Sequence, residues 1–196
     1  RTDAKVSALD AAFELFTEHP VQELTTFLDT LNTNLPPDIR ATEITETDKT
    51  FNIIQHSKLK EYVYLFSYGV KSHPFAAPFI TTIFGELDIE LMQKATKMFE
   101  GEHNFSSYTA RIQEHTQSVR TIDSCIIRPN ELLKANFFPK ESYALYVTGK
   151  GFMRYQVRMI MGALIQLGKG ELTLIDIENS LKVDNTIQLT YVAPGS

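Results

Sequence analysis

Two arginines and a glycine are spaced one helical turn apart in an apolar segment. Residues 153–167 read Met-Arg-Tyr-Gln-Val-Arg-Met-Ile-Met-Gly-Ala-Leu-Ile-Gln-Leu. From Val157 onward the segment is apolar nearly all round, which predicts a helix buried on most sides and ending at Gly168. Arg158 lies inside that run. A buried guanidinium without a partner is costly, so Arg158 is expected to face an anion. Arg154 falls one turn earlier on the same face, and Gly162 one turn later. A glycine in mid-helix costs roughly 1 kcal/mol relative to alanine, so something is expected to pack closely against Gly162. The residues alone leave open whether Arg158 makes a structural salt bridge, with Arg154 solvated, or holds the anion of a site.

Residues 58–68, Lys-Leu-Lys-Glu-Tyr-Val-Tyr-Leu-Phe-Ser-Tyr, alternate as a strand does. Alternation puts Lys58, Lys60, Tyr62, Tyr64, Phe66 and Tyr68 on one face. Two cations followed by a row of aromatics is chemistry that holds a phosphate backbone and stacks an unpaired base. Phe66 and Tyr68 read better as core. Tyr62, beside the lysines, fits either reading. A third segment, Arg1-Thr2-Asp3-Ala4-Lys5-Val6-Ser7-Ala8, is by composition only a polar loop, and nothing in its spacing makes Asp3 catalytic.

Other chemistries lack their residues. His19, His56, His73, His103 and His115 show no metal-ligand spacing, and one cysteine cannot build a structural zinc site, so no metal is expected. Gly149-Lys150-Gly151 lacks the upstream glycine and the following Ser or Thr of a phosphate-binding loop. No Gly-x-Ser-x-Gly elbow occurs. The formal net charge of −5 argues by itself against a nucleic-acid partner. Screening over about 8 Å still lets a local basic patch act. Cys125 has no partner for an internal disulfide, which fits a reducing, cytoplasmic compartment. No apolar run approaches the length of a membrane span, so no membrane association is expected.

The elements that would position these residues follow from pattern. Residues 11–17 and 39–46 read as strands, and Val21 to Leu31 as a helix stopped by Leu35-Pro36-Pro37. The polar stretch Thr47-Asp48-Lys49-Thr50 is the expected domain junction, dividing 1–48 from 49–196. Asp88 is a natural N-cap for a helix carrying Leu91, Ala95, Met98 and Phe99, with Gly101 as its C-cap. Residues 119–127 and 143–148 are expected strands, 175–181 a short helix and 187–192 a last strand. Strands separated by helices, with several strand-to-strand steps, predict an α+β architecture with largely antiparallel sheets.

Taken together, these segments resemble the TruA family of tRNA pseudouridine synthases. The family hallmark Gly-Arg-Thr-Asp-Ala-Gly-Val is similar to Arg1-Thr2-Asp3-Ala4-Lys5-Val6, and Leu-Pro-x-Asp-Ile to Leu35-Pro36-Pro37-Asp38-Ile39. Phe51 through Tyr64 resembles the segment Phe-x-Ala-Arg…Lys/Arg-x-Tyr-x-Tyr. Gly101-Glu102-His103-Asn104-Phe105 resembles Gly-x-His-Asp/Asn-Phe. Gly151-Phe152-Met153-Arg154-Tyr155-Gln156-Val157-Arg158-Met159-Ile160-Met161-Gly162 resembles Gly-Phe-Leu-x-x-Met-Val-Arg-x-Ile-Val-Gly, and Ala193-Pro194 the terminal Ala-Pro. The matches run in family order from end to end.

The resemblance implies a pseudouridine synthase fold: two RNP-like α/β halves with antiparallel sheets side by side and a basic central cleft. It implies conversion of uridines in the tRNA anticodon stem-loop to pseudouridine, with no cofactor, by a homodimer sharing one tRNA. Asp3 resembles the essential aspartate, Arg158 the arginine that pairs with it, and Tyr62 the tyrosine that stacks on the target base. Arg1 resembles the arginine beside the aspartate that helps hold the flipped nucleotide. Lys58, Lys60, Lys150 and Arg154 would form the local patch for phosphates. The chain opens on Arg1, inside the hallmark motif, so an N-terminally truncated chain is expected. Lys5 stands where the family usually has glycine, and Ile53-Ile54 where Ala-Arg is usual. Those departures keep an alternative open, a tRNA- or RNA-binding module of the same fold with impaired catalysis. The acidic net charge leaves room for a third reading, a domain with no RNA contact.

Overall fold

The computed structural model describes residues 6–110, 117–184, 187 and 189–195. The chain divides into two compact units, one of them Ala8–Ser57 and the other built on Lys58–Ser196.

The first unit holds one sizeable helix, α1 (Leu24–Asn34), and a single helical turn, α2 (Ile53–His56). Leu35, the residue before Pro36, has extended backbone and ends α1, as the proline pair predicts. Asn52 caps α2 by accepting from the N–H groups of Ile54 and Gln55. The expected strands at 11–17 and 39–46 are irregular backbone. A strand exists only where a ladder partner completes it, and neither segment meets one among the described residues. Asn32 satisfies part of the second segment: its Nδ2 donates to the Ala41 carbonyl at 2.9 Å and its Oδ1 accepts from the Ala41 N–H at 2.8 Å. Phe13 and Phe16 lie exposed.

The second unit is mixed α/β around a four-stranded sheet. Its strands are β1 (Lys60–Gly69), β2 (Thr81–Phe84), β5 (Ser124–Pro129) and β6 (Tyr143–Gly149), in the order β2-β1-β6-β5. β6 runs antiparallel to both β1 and β5, while β2 runs parallel to β1. The parallel pair needs a return connection. Residues 70–80 supply it, tightened by a 3₁₀ turn at Pro74–Ala76. A two-stranded antiparallel sheet pairs β3 (Gly101–Asn104) with β4 (Val119–Ile122). The run expected as one strand over 119–127 is therefore two. It breaks at Asp123, whose N–H turns to the Thr148 carbonyl at 2.8 Å, and its halves serve different sheets.

One face of the four-stranded sheet is the core wall. Phe66, Leu145, Val147, Cys125 and Ile127 meet α3 (Ile89–Thr96) through Met92 and Ala95, and α4 (Gln156–Gly168) through Ile160 and Leu164, all of them buried. Full burial of each large apolar side chain contributes roughly 1.5–3 kcal/mol. Asp88 caps α3 as expected, accepting from the Leu91 N–H at 2.8 Å. A last helix, α5 (Leu174–Ser180), opens on a capping box between Thr173 and Asp176. The described residues of 187–192 form no strand. The segment that follows α5 is instead fastened to α4 and β1 by individual contacts. Among the described residues, no helix is long and apolar enough to cross a membrane.

Candidate functional site

The even-numbered residues of β1 share the covered face of the sheet, as alternation predicts. Phe66 is fully buried and Tyr64 nearly so, which makes both core. Tyr62, nearer the open end, is half-buried, and its ring meets Phe152 edge-on with centroids 5.1 Å apart. Lys60 stands opposite Gly149, the last residue of β6, and Lys150 follows it in sequence. Lys60, Tyr62, Lys150 and Phe152 therefore gather at one end of the sheet. Both lysines are exposed there, and so is Lys58, just ahead of β1.

The helix carrying Arg158 starts later than its apolar pattern suggests. Tyr155, at its N-cap, has φ 63° and ψ 7°, and it is the only described residue besides glycines with positive φ. That left-handed turn keeps Met153 and Arg154 out of the helix, so Arg154 does not continue the Arg158 face by helical geometry. The Tyr155 ring connects the two arginines instead: the Arg154 Cζ lies 5.0 Å and the Arg158 Cζ 5.1 Å from its centroid. Such cation–π contacts are worth roughly 0.5–1 kcal/mol each at exposed sites.

Arg158 is half-buried at the head of α4, less covered than the helix pattern predicts. Its Nε donates to the Ala193 carbonyl at 2.8 Å, and its own carbonyl accepts from the Ala193 N–H at 3.1 Å. Among the described residues the ion pairs are Lys97 with Glu100 and Lys182 with Glu178, so neither Asp123 nor Glu171 bridges to Arg158. Asp3 and Arg1 lie outside the described residues.

The sequence placed Tyr64 in the aromatic row of β1, and Phe152 and Tyr155 within the family motif, but assigned none of them a role of its own. Tyr64 donates from its hydroxyl to the Pro194 carbonyl at 2.6 Å, and burial pushes that hydroxyl up to about 12 from 10.0. It therefore stays a neutral donor at physiological pH. Gly162 has the close neighbour its position predicts: a Cβ there would collide with the Tyr191 carbonyl oxygen. Residues 191–194 are thus held by Gly162, Arg158 and Tyr64 in turn. A hollow of about 690 Å³ beside α1, lined by Thr17, His19, Val21 and Phe27 among others, contains none of these groups. Among the described residues no three His, Cys, Asp or Glu side chains gather to hold a metal ion.

Comparison with known proteins gives this arrangement a context. A family described as tRNA pseudouridine synthase matches residues 95–194, which include β3 through α5 and the fastened segment. The tRNA pseudouridine synthase A of Shouchella clausii is 32% identical over 87% of this chain and 62% of its own length. The protein of the same name from Limosilactobacillus fermentum is 31% identical over 100% of this chain and 73% of its own. That from Oenococcus oeni is 27% identical over 100% of this chain and 75% of its own. The chain thus spans roughly three-fifths to three-quarters of the length of these relatives.

Proposed function

The chain belongs to the family of tRNA pseudouridine synthases, and on that footing we propose that the whole protein converts uridines of the tRNA anticodon stem-loop to pseudouridine with Asp3 as its catalytic carboxylate. The observation that carries this reading is Arg158. Its guanidinium is held by two neutral contacts, a carbonyl and an aromatic ring, and no described carboxylate pairs with it. A cation anchored in that way is ready for an anion, and the motif Arg1-Thr2-Asp3-Ala4 supplies one.

The reaction breaks the N1–C1′ bond of the uridine, turns the base and rejoins it through C5. It involves neither redox chemistry nor hydrolysis, so the proposal calls for no cofactor or metal. The target leaves its stack at a cost of a few kcal/mol. Tyr62 recovers part of that by stacking, worth about 1–3 kcal/mol per base. Asp3 acts in its ionised form, which a neighbouring Arg158 favours and orients. Arg1 helps hold the flipped nucleotide, and Lys58, Lys60, Lys150 and Arg154 meet phosphates. Two α/β halves about a basic cleft, 1–48 and 49–196, and a homodimer sharing one tRNA belong to the same proposal.

The test is primer extension after carbodiimide labelling of tRNA treated with the full-length protein. Wild type should leave pseudouridine in the anticodon arm. Asp3→Asn should abolish it while still binding tRNA. Normal turnover by the Asn variant would remove Asp3 from the chemistry. A wild-type protein that binds tRNA without converting it would favour the non-catalytic module, the reading that Lys5 in place of glycine motivates.

A further inference from the structure

Phe152 belongs to two surfaces. Its ring packs on Tyr62, and it also lines a shallow groove of roughly 400 Å³ with Glu102, Arg120, Thr121, Lys150 and Gly151. The groove forms where the β3–β4 sheet meets the end of β6. Gly149 permits that meeting: a Cβ there would stand 3.0 Å from the Thr121 carbonyl oxygen and 3.3 Å from the Phe152 ring.

Gly151 is different. Its φ lies outside the left-handed region, and a Cβ built on it would meet open space. Neither the backbone nor internal packing requires glycine at 151, yet the residue lines the groove. A glycine with no internal reason fits a place where something outside the chain approaches the backbone. Arg120 and Lys150 line the same groove, and no described carboxylate lies within ion-pair distance of either, Glu102 included. The Arg120 Nη1 donates to the Val119 carbonyl at 3.4 Å, a neutral contact that leaves its charge uncompensated. Two cations without a carboxylate partner, beside an aromatic ring, suit a phosphodiester. The Glu102 carboxylate offers an acceptor for a ribose 2′-hydroxyl, the group that separates RNA from DNA.

We propose that this groove binds the ribose-phosphate of an RNA nucleotide adjoining the one stacked on Tyr62. Arg120 and Lys150 hold the phosphate, Gly151 leaves room for the strand, and Phe152 links the two positions. The proposal rests on the reading of Tyr62 as a stacking residue and adds a substrate subsite to it.

The test uses the full-length protein, its tRNA substrate and two variants, Arg120→Gln and Gly151→Val. Binding is measured over a range of salt, with turnover and Tm alongside. Arg120→Gln should weaken tRNA binding about three- to tenfold and flatten the log–log salt dependence by about 0.7–0.9 for the lost phosphate contact. Gly151→Val should weaken binding with Tm unchanged. In both, the loss should appear in KM rather than kcat. Wild-type affinity and salt slope in Arg120→Gln would overturn the proposal, as would a Gly151→Val variant that loses Tm and not affinity. If wild type forms no pseudouridine while both variants weaken binding, the catalytic reading fails and the groove stands. If wild type is active and the variants match it, the groove alone fails.

Discussion

Tyr155 is held in a backbone conformation that its residue type disfavours. A non-glycine residue in the left-handed region costs roughly 1–2 kcal/mol, a cost that persists only where the surroundings compensate. Here the compensation is visible: the ring sits beside two guanidiniums, and the Tyr155 carbonyl accepts the Met159 N–H at 2.9 Å to start α4. The backbone and the ring can be separated by mutation. Tyr155→Ala and Tyr155→Gly both remove the ring, but only alanine pays for positive φ. The glycine variant should therefore be the more stable of the two by about 1 kcal/mol in urea unfolding, the reverse of their order inside a helix. An alanine variant as stable as the glycine one would mean that the turn relaxes freely.

At the scale of elements, Gly162 sets how α4 meets the segment at 191–194. Alanine is the better helix former by about 1 kcal/mol. Its methyl group would nevertheless meet the Tyr191 carbonyl, backbone that cannot swing aside while Ala193 and Pro194 are held. Overpacking of this kind costs typically 1–3 kcal/mol, so Gly162→Ala should destabilise the unit by up to about 2 kcal/mol net. Hydrogen exchange should rise at 191–194; unchanged exchange with a gain in stability would show that the segment yields. The glycine was legible as a close-approach position because a mid-helix glycine is costly wherever it stands. What approaches it was not, since the Tyr191 contact depends on chain far from α4. The same division recurs elsewhere. β1, β6, α3 and α4 follow from periodicity and caps, which are local. The split at Asp123 and the irregular backbone at 11–17 depend on which strand lies alongside, which is not local. In the candidate site, Arg158 stood out as a charge in an apolar helix and Tyr62 as an aromatic beside lysines. The left-handed Tyr155 left no signal, because tyrosine is an unfavourable choice for that conformation. Asp3 was legible only through its motif.

For the molecule as a whole, buried protonated groups make stability depend on alkaline pH. Burial pushes the Cys125 thiol up to about 12 from 9.0 and the Tyr64 hydroxyl up to about 12 from 10.0, and it raises Tyr108 as well. In the unfolded chain these groups release their protons first, so above pH 9 the native state binds more protons than the unfolded one. Stability should be intact below pH 9, fall from there, and keep falling as pH rises through about 12. Urea midpoints measured at stepped pH should decline over that window, and flat midpoints between pH 9 and 12 would contradict the burial of these groups. A second consequence concerns synthesis. Tyr64 and Pro194 are joined across 130 residues. While the protein is being made on the ribosome, β1 and α4 leave the exit tunnel well before the backbone that fastens them. The nascent chain therefore carries Tyr64, Arg158 and the Gly162 surface of α4 without these partners until residues 191–194 emerge. A ribosome stalled just short of Tyr191 would hold a chain that lacks all three of these contacts.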